Sequence, residues 1–172
     1  MKKIRTIGTL VFICLAASVG AVLGQTATTF NGTALIYGSG MNTRTVTRTF
    51  TMRVNRQTTA AEVAEYLKTL ESSGQDGLRE AIRNNDLGHF SLGSSLGQRL
   101  NAVVVDTVEG KTRVRAVFER WIGFGELREG YRSVDYPFSY VEIIIDPRTG
   151  KGDGTFIPAA QIRFKEGKAG AA

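Results

Sequence analysis

A chain of 172 residues with 42% hydrophobic and 22% charged side chains has enough apolar material for one core, and one domain is the default at this length. The formal net charge of +6 includes Lys2, Lys3 and Arg5. Without these three, 19 basic residues face 16 acidic ones, a net of +3, which removes most of the support for a nucleic-acid partner. No internal repeat and no low-complexity linker is present.

Lys2, Lys3 and Arg5 form a short basic start. An uncharged apolar run follows through Leu10, Val11, Phe12, Ile13, Cys14 and Leu15, and it breaks into the small residues Ser18, Gly20, Ala21 and Gly24. This is the pattern of a secretory signal peptide over residues 1–24. Val22 and Gly24 suit the two shallow pockets of a signal peptidase, so the expected cut precedes Gln25. The run is short and interrupted for a membrane span. Ile13 before Cys14 does not fit a lipidation site. The expectation is an exported protein, periplasmic or extracellular, with no stable membrane insertion after cleavage. A globular domain over residues 25–166 and a flexible tail over 167–172 complete the expected organisation. Cys14 is the only cysteine, so the exported domain is expected to carry no disulfide, no thiolate metal site and no cysteine nucleophile.

Within the domain, residues 33–37 and 43–55 read as two strands around a Gly38-Ser39-Gly40 turn. Phe50, Met52 and Val54 share the face expected to meet the core. Thr59 and Glu62 form a capping box. Ala60, Val63, Ala64, Leu67 and Leu70 then make a helical stripe that Gly74 is placed to end. A second, shorter helix is expected over 77–84, with Asp76 as cap and Leu78, Ala81 and Ile82 inward. The run Ala102-Val103-Val104-Val105 is apolar on both faces and predicts a central strand. Glu109-Gly110-Lys111 is a tight turn. The return strand over 112–120 alternates with Val114, Ala116 and Phe118 inward. Val141, Ile143 and Ile145 share one face of a strand over 140–146. The stretch over 155–165 is expected to be extended and kinked at Pro158. Strands and helices are segregated along the chain. That predicts an α+β fold: a mainly antiparallel sheet, curved as a half-barrel or flat, with two helices inserted after the first strand pair and packed on one face.

Three local patterns resemble sites. Gly93-Ser94-Ser95-Leu96-Gly97 matches G-x-S-x-G, but a strand follows it where a hydrolase has a helix, and the only histidine, His89, precedes it. A small hydrolase using His89 with Ser91 or Ser95 is therefore an alternative only. His89 has no second histidine or cysteine to complete a zinc site. The segment from Asp146 to Gly154 superficially resembles a calcium loop, but Arg148 and Gly150 occupy ligand positions and Ile157 stands where the closing carboxylate belongs. No cofactor and no metal are expected. A basic face from Arg44, Arg48, Arg53, Arg56, Arg113 and Arg115 is conceivable if the two hairpins are neighbours.

Residues 118–140 carry the strongest signal. Phe118, Trp121, Phe124, Tyr131, Tyr136, Phe138 and Tyr140 crowd one segment, interleaved with Arg132 and other charges. Long segments of this kind are often functional, and aromatic faces beside charges suit peptides, glycans or a protein surface. Trp121, Phe124, Tyr131, Arg132 and Tyr136 are the candidate binding residues. The alternative is that these aromatics cap the core. The expectation is a non-enzymatic binding or interaction module for a protein, peptide or glycan, with a cell-envelope structural role as a further alternative.

The run Arg132-Ser133-Val134-Asp135-Tyr136-Pro137-Phe138, the Val141-Glu142-Ile143 strand, the glycine-rich turn through Gly154 and Ala159-Ala160-Gln161-Ile162-Arg163-Phe164 resemble exported bacterial proteins of acidobacterial type. The resemblance spans the last third of the chain and implies no activity, cofactor or catalytic residue.

Overall fold

The computed structural model describes residues 27–36, 45–120 and 135–164. The expected signal peptide, the Gly38-Ser39-Gly40 turn and the tail lie outside the described residues, as do Arg44, Trp121, Phe124, Tyr131 and Arg132.

Strands β1 (Thr28–Ile36) and β2 (Val46–Val54) pair antiparallel, with Gly32 opposite Phe50 and Phe30 opposite Met52. The Phe50 ring lies over the bare backbone of Gly32, where any Cβ would strike it. Met52 and Val54 are buried, as their alternation requires.

One helix, α1 (Ala60–Ile82), stands where two were expected. Gly74, placed to end the first, leaves helical geometry at φ 66 and ψ −165, a conformation open to glycine, and the element resumes beyond this kink. The capping box is complete: the Thr59 hydroxyl accepts from the Glu62 amide (3.2 Å), and the Glu62 carboxylate accepts from the Thr59 amide (2.7 Å). Arg56 adds a hydrogen-bonded ion pair to Glu62. That guanidinium first, and the Thr59 amide and hydroxyl second, pull the Glu62 carboxyl down to about 2. The buried stripe is Leu70, Leu78 and Ile82, with Tyr66 packed beside it. Leu67 is 50% exposed, and Ala64 and Ala81 are exposed as well. The kink resets the helical phase, so the stripe runs 66, 70, then 78, 82, each pair one turn apart.

Two short strands follow, β3 (Gly88–Leu92) and β4 (Gln98–Arg99). The first sheet has the order β1-β2-β3-β4. The second contains β5 (Ala102–Val108), β6 (Lys111–Glu119), β7 (Phe138–Ile145) and β8 (Gly152–Ala160), in that order and all antiparallel. The expected single curved sheet is thus two four-stranded sheets. The division falls at Leu100–Asn101, where backbone partners switch. Leu100 exchanges hydrogen bonds with Leu87 and Gly88, whereas the Asn101 amide donates to Val117 on β6.

β5 is an edge strand, not the central one that its apolar run predicts. Its edge is sealed at Val103. The Val103 amide donates to the Thr58 hydroxyl (2.9 Å), and its carbonyl accepts from the Thr58 amide (2.7 Å). Thr58→Val is accordingly expected to lower stability by about 2 kcal/mol, because it orphans a buried amide. Thr58→Ser keeps the acceptor and is expected to stay within about 1 kcal/mol of the parent; urea unfolding of both variants tests the pin.

The β5–β6 connection is the two-residue turn Glu109-Gly110, with φ 51 and 74, as a type I′ hairpin requires. Val114, Ala116 and Phe118 are buried, as expected. With Val103, Val141 and Ile143 they face Met52, Val54, Leu87, Phe90 and Leu100, so the main core lies between the sheets. On the opposite side of the second sheet, Val117, Phe138 and Ala160 receive the helix. β8 begins at Gly152, earlier than expected, and holds Pro158 within it. As an edge strand β8 tolerates the missing amide, and the Pro158 carbonyl accepts from the Ser139 hydroxyl. The Asp146 carboxylate accepts from the Arg148 amide (2.8 Å), which lowers its pKa and closes a plain turn through Gly150.

Candidate functional site

Strand β3 sets the geometry. Its alternation sends Gly88, Phe90 and Leu92 inward and His89 and Ser91 outward. The Phe90 ring meets Phe118 of β6 at 5.5 Å between centroids, Phe156 of β8 at 5.1 Å and Phe50 of β2 at 6.1 Å. These tilted and offset contacts are favourable aromatic arrangements. Three strands from two sheets thus bring a ring against Phe90.

Beside this cluster lies a cleft of about 460 Å³. Its floor is Phe90, Leu92, Phe118, Phe156 and Pro158, and the β3–β4 loop supplies one wall through Ser95, Leu96 and Gly97. That volume lies within the range of small-ligand sites. Two polar side chains of the lining are already engaged. The Ser139 hydroxyl donates to the Pro158 carbonyl, and the Ser95 hydroxyl accepts from the Leu92 amide. Leu96 stands at the rim with 97% of its surface exposed. The chain leaves the described region at Arg120, which also lines the cleft. A group entering there meets mostly carbon.

The expected site residues divide. Trp121, Phe124, Tyr131 and Arg132 lie outside the described residues. Tyr136 is 41% exposed and does not line the cleft. From the same aromatic segment, Phe118 lines the cleft floor and Phe138 is fully buried beneath the helix. Phe90, Leu92 and Phe156 were not among the expected residues. Their signal was weak: one short alternation bounded by glycines, and one phenylalanine beside a proline.

His89 points away from the core, and its Nε2 lies 2.6 Å from the Leu96 carbonyl. A carbonyl only accepts, so Nε2 is the donor. No hydrogen bond joins His89 to Ser91 or Ser95 among the described residues. The G-x-S-x-G segment forms the β3–β4 loop, with Gly93 at φ 62 and Gly97 at φ 73. A Cβ on Gly97 would collide with the imidazole and the Phe90 carbonyl.

Of the six arginines proposed for a basic face, Arg44 lies outside the described residues, and Arg53, Arg56, Arg113 and Arg115 do not assemble. Arg113 grips Asp106 through two hydrogen bonds of 2.8 and 2.6 Å, and Arg115 adds a third at 2.8 Å, on the outer side of the second sheet. The Asp106 carboxyl is held low, chiefly by Arg113. Nearby, the Tyr140 hydroxyl donates to Glu142 and its pKa is raised, first by burial. Arg56 belongs to Glu62, and Arg53 lies on the other sheet. No group of three metal-binding side chains occurs among the described residues, and no described helix is long and apolar enough to cross a membrane.

Fold and cleft together define an α+β domain of two antiparallel sheets with a phenylalanine-lined recess between them. Comparison with protein families, curated proteins and solved structures gives no match.

Proposed function

We propose that this protein is an exported, non-enzymatic binding domain that takes an apolar group of a protein or peptide partner into the cleft floored by Phe90, Phe118 and Phe156. The observation that carries this reading is the cleft's chemistry. Apolar surface from Phe90, Leu92, Leu96, Phe118, Phe156 and Pro158 dominates its lining, and the hydroxyls of Ser95 and Ser139 are already engaged with the protein's own backbone. An apolar group gains from such a recess by leaving water. The aromatic segment 118–140 begins at the cleft with Phe118, and Trp121, Phe124, Tyr131 and Arg132 are proposed as flanking contacts. Export rests on the basic start and apolar run of residues 1–24.

The neutral fluorophore N-phenyl-1-naphthylamine is expected to bind saturably, with one strong site. Leu96→Asp places a charge at the rim without touching the core. It is expected to weaken that binding about tenfold, the equivalent of losing one well-buried apolar contact, while leaving the urea midpoint unchanged. A wild-type chain with no saturable fluorescence gain sinks the reading.

A further inference from the structure

The first sheet has a second surface with different chemistry. The strand register places Thr29 opposite Arg53, Arg53 opposite His89, and His89 opposite Arg99. Directly opposed residues share a face, so one row crosses all four strands. Their neighbours Val54, Phe90 and Leu100 enter the core, so the row faces outward, and Arg53, His89 and Arg99 are all exposed. At the usual strand spacing the two arginines stand about 10 Å apart with the imidazole between them.

Neither guanidinium meets a carboxylate among the described residues. Arg53, an exposed residue, donates through Nε to the Asn55 side chain at 3.0 Å. By contrast, Arg56, Arg83, Arg113, Arg115 and Arg148 each hold an Asp or Glu. The next row on the same face, Asn31, Thr51 and Ser91, carries amide and hydroxyl groups, with the Thr51 hydroxyl donating to the Asn31 side-chain oxygen at 2.9 Å. Among the described strand residues this face carries no acidic side chain. Its one apolar side chain, Leu35, lies at the far end of β1.

We propose that this row is a docking surface for an anionic polysaccharide, in which Arg53 and Arg99 each hold a sulfate or carboxylate group and the hydroxyl row meets the sugar hydroxyls. The planar guanidinium fork matches the oxygens of such groups. A bilayer is disfavoured as the partner, since membrane binding of this kind requires apolar side chains that enter the headgroup region. The surface is separate from the cleft and does not depend on it: residues of β3 that line the cleft point inward, while His89 points outward.

The test is the affinity of the full chain for dextran sulfate and for heparin, with neutral dextran and mixed phosphatidylcholine–phosphatidylglycerol vesicles as the other arms. Binding to the two sulfated polymers, weakening with salt, and none to neutral dextran is the expected result. The pair Arg53→Ala, Arg99→Ala is expected to lose about tenfold in affinity. The pair Lys68→Ala, Arg83→Ala removes the same charge from exposed positions on and just after the helix, which packs on the other sheet, and is expected to change it less than about twofold. Arg53→Lys with Arg99→Lys keeps the charge but loses the planar fork and is expected to bind with an affinity between those of the parent and the alanine pair, and an unchanged urea midpoint of the alanine pair separates loss of the contact from loss of the fold. Equal losses in the two alanine pairs, no binding to either sulfated polymer, or capture by the vesicles alone each overturns the proposal.

Discussion

Replacing Asn101 by leucine is expected to lower the unfolding free energy by about 3 kcal/mol, although the two side chains are similar in size. Asn101 is 3% exposed and sits where the chain passes from the first sheet to the second. Its side-chain amide donates to the carbonyls of Arg83 and Asn85 just beyond the helix, and its oxygen accepts from the Glu119 amide at the end of β6. One side chain therefore satisfies three backbone groups from two separate segments. Leucine leaves all three without a partner in a place water reaches poorly. Asn101→Asp makes the argument sharper. It keeps the shape and the acceptor but turns both donors into an oxygen facing two carbonyls, so it is expected to destabilise at least as much at neutral pH. Urea unfolding at unchanged slope is the measurement. A loss under about 1 kcal/mol in both variants would show that the junction is not held by this residue.

Phe138→Ala is expected to cost about 4 kcal/mol, at the upper end for a single core truncation. The ring is fully buried and is the sheet's one fully buried member of the cluster made with Leu70, Leu78 and Ile82. Its removal opens a cavity between helix and sheet that neither can close without shifting on the other. Leu67→Ala, on the exposed side of the same helix, is expected to change stability by less than about 0.5 kcal/mol. If the two substitutions prove equal, by thermal or urea unfolding, the helix does not dock as described.

The regular hairpins were legible because their signal is local. Alternation from Thr112 to Glu119 identified the buried Val114, Ala116 and Phe118, and Glu109-Gly110 identified the turn before them. Gly74 was correctly seen as a break in helical geometry, but whether a glycine ends a helix or kinks it depends on what the next turn packs against. β3 was missed because five residues between Gly88 and Gly93 carry too short an alternation to stand out. The apolar run of β5 was read as central because sequence shows which faces are covered and not what seals an edge. Here Thr58, far away in the chain, provides the seal. The cleft was hidden for a related reason. Phe90, Phe118 and Phe156 are separated by tens of residues, and only register brings them together. The aromatic segment around Trp121 drew attention because its residues are neighbours in sequence, and Phe138 within it proves to be a structural anchor.

The order of strands within each sheet repeats their order in the chain, and this bears on how the protein reaches its native state. Within the second sheet every pairing is made by strands consecutive in sequence, β5 with β6, β6 with β7 and β7 with β8, and the first of these closes through two residues. The β5–β6 contacts are expected to form early, since little chain entropy is lost in closing so short a turn. The first sheet is different. β2 must find β3 across residues 55–87, a loop that contains the whole helix. Its ends are tied by the Asn55 and Arg56 amides on the Leu87 carbonyl. The β2–β3 closure spans the longest connection between paired strands, so the folding rate is expected to respond to helix-stabilising changes at Thr59 and Glu62 more than to changes in the β5–β6 hairpin.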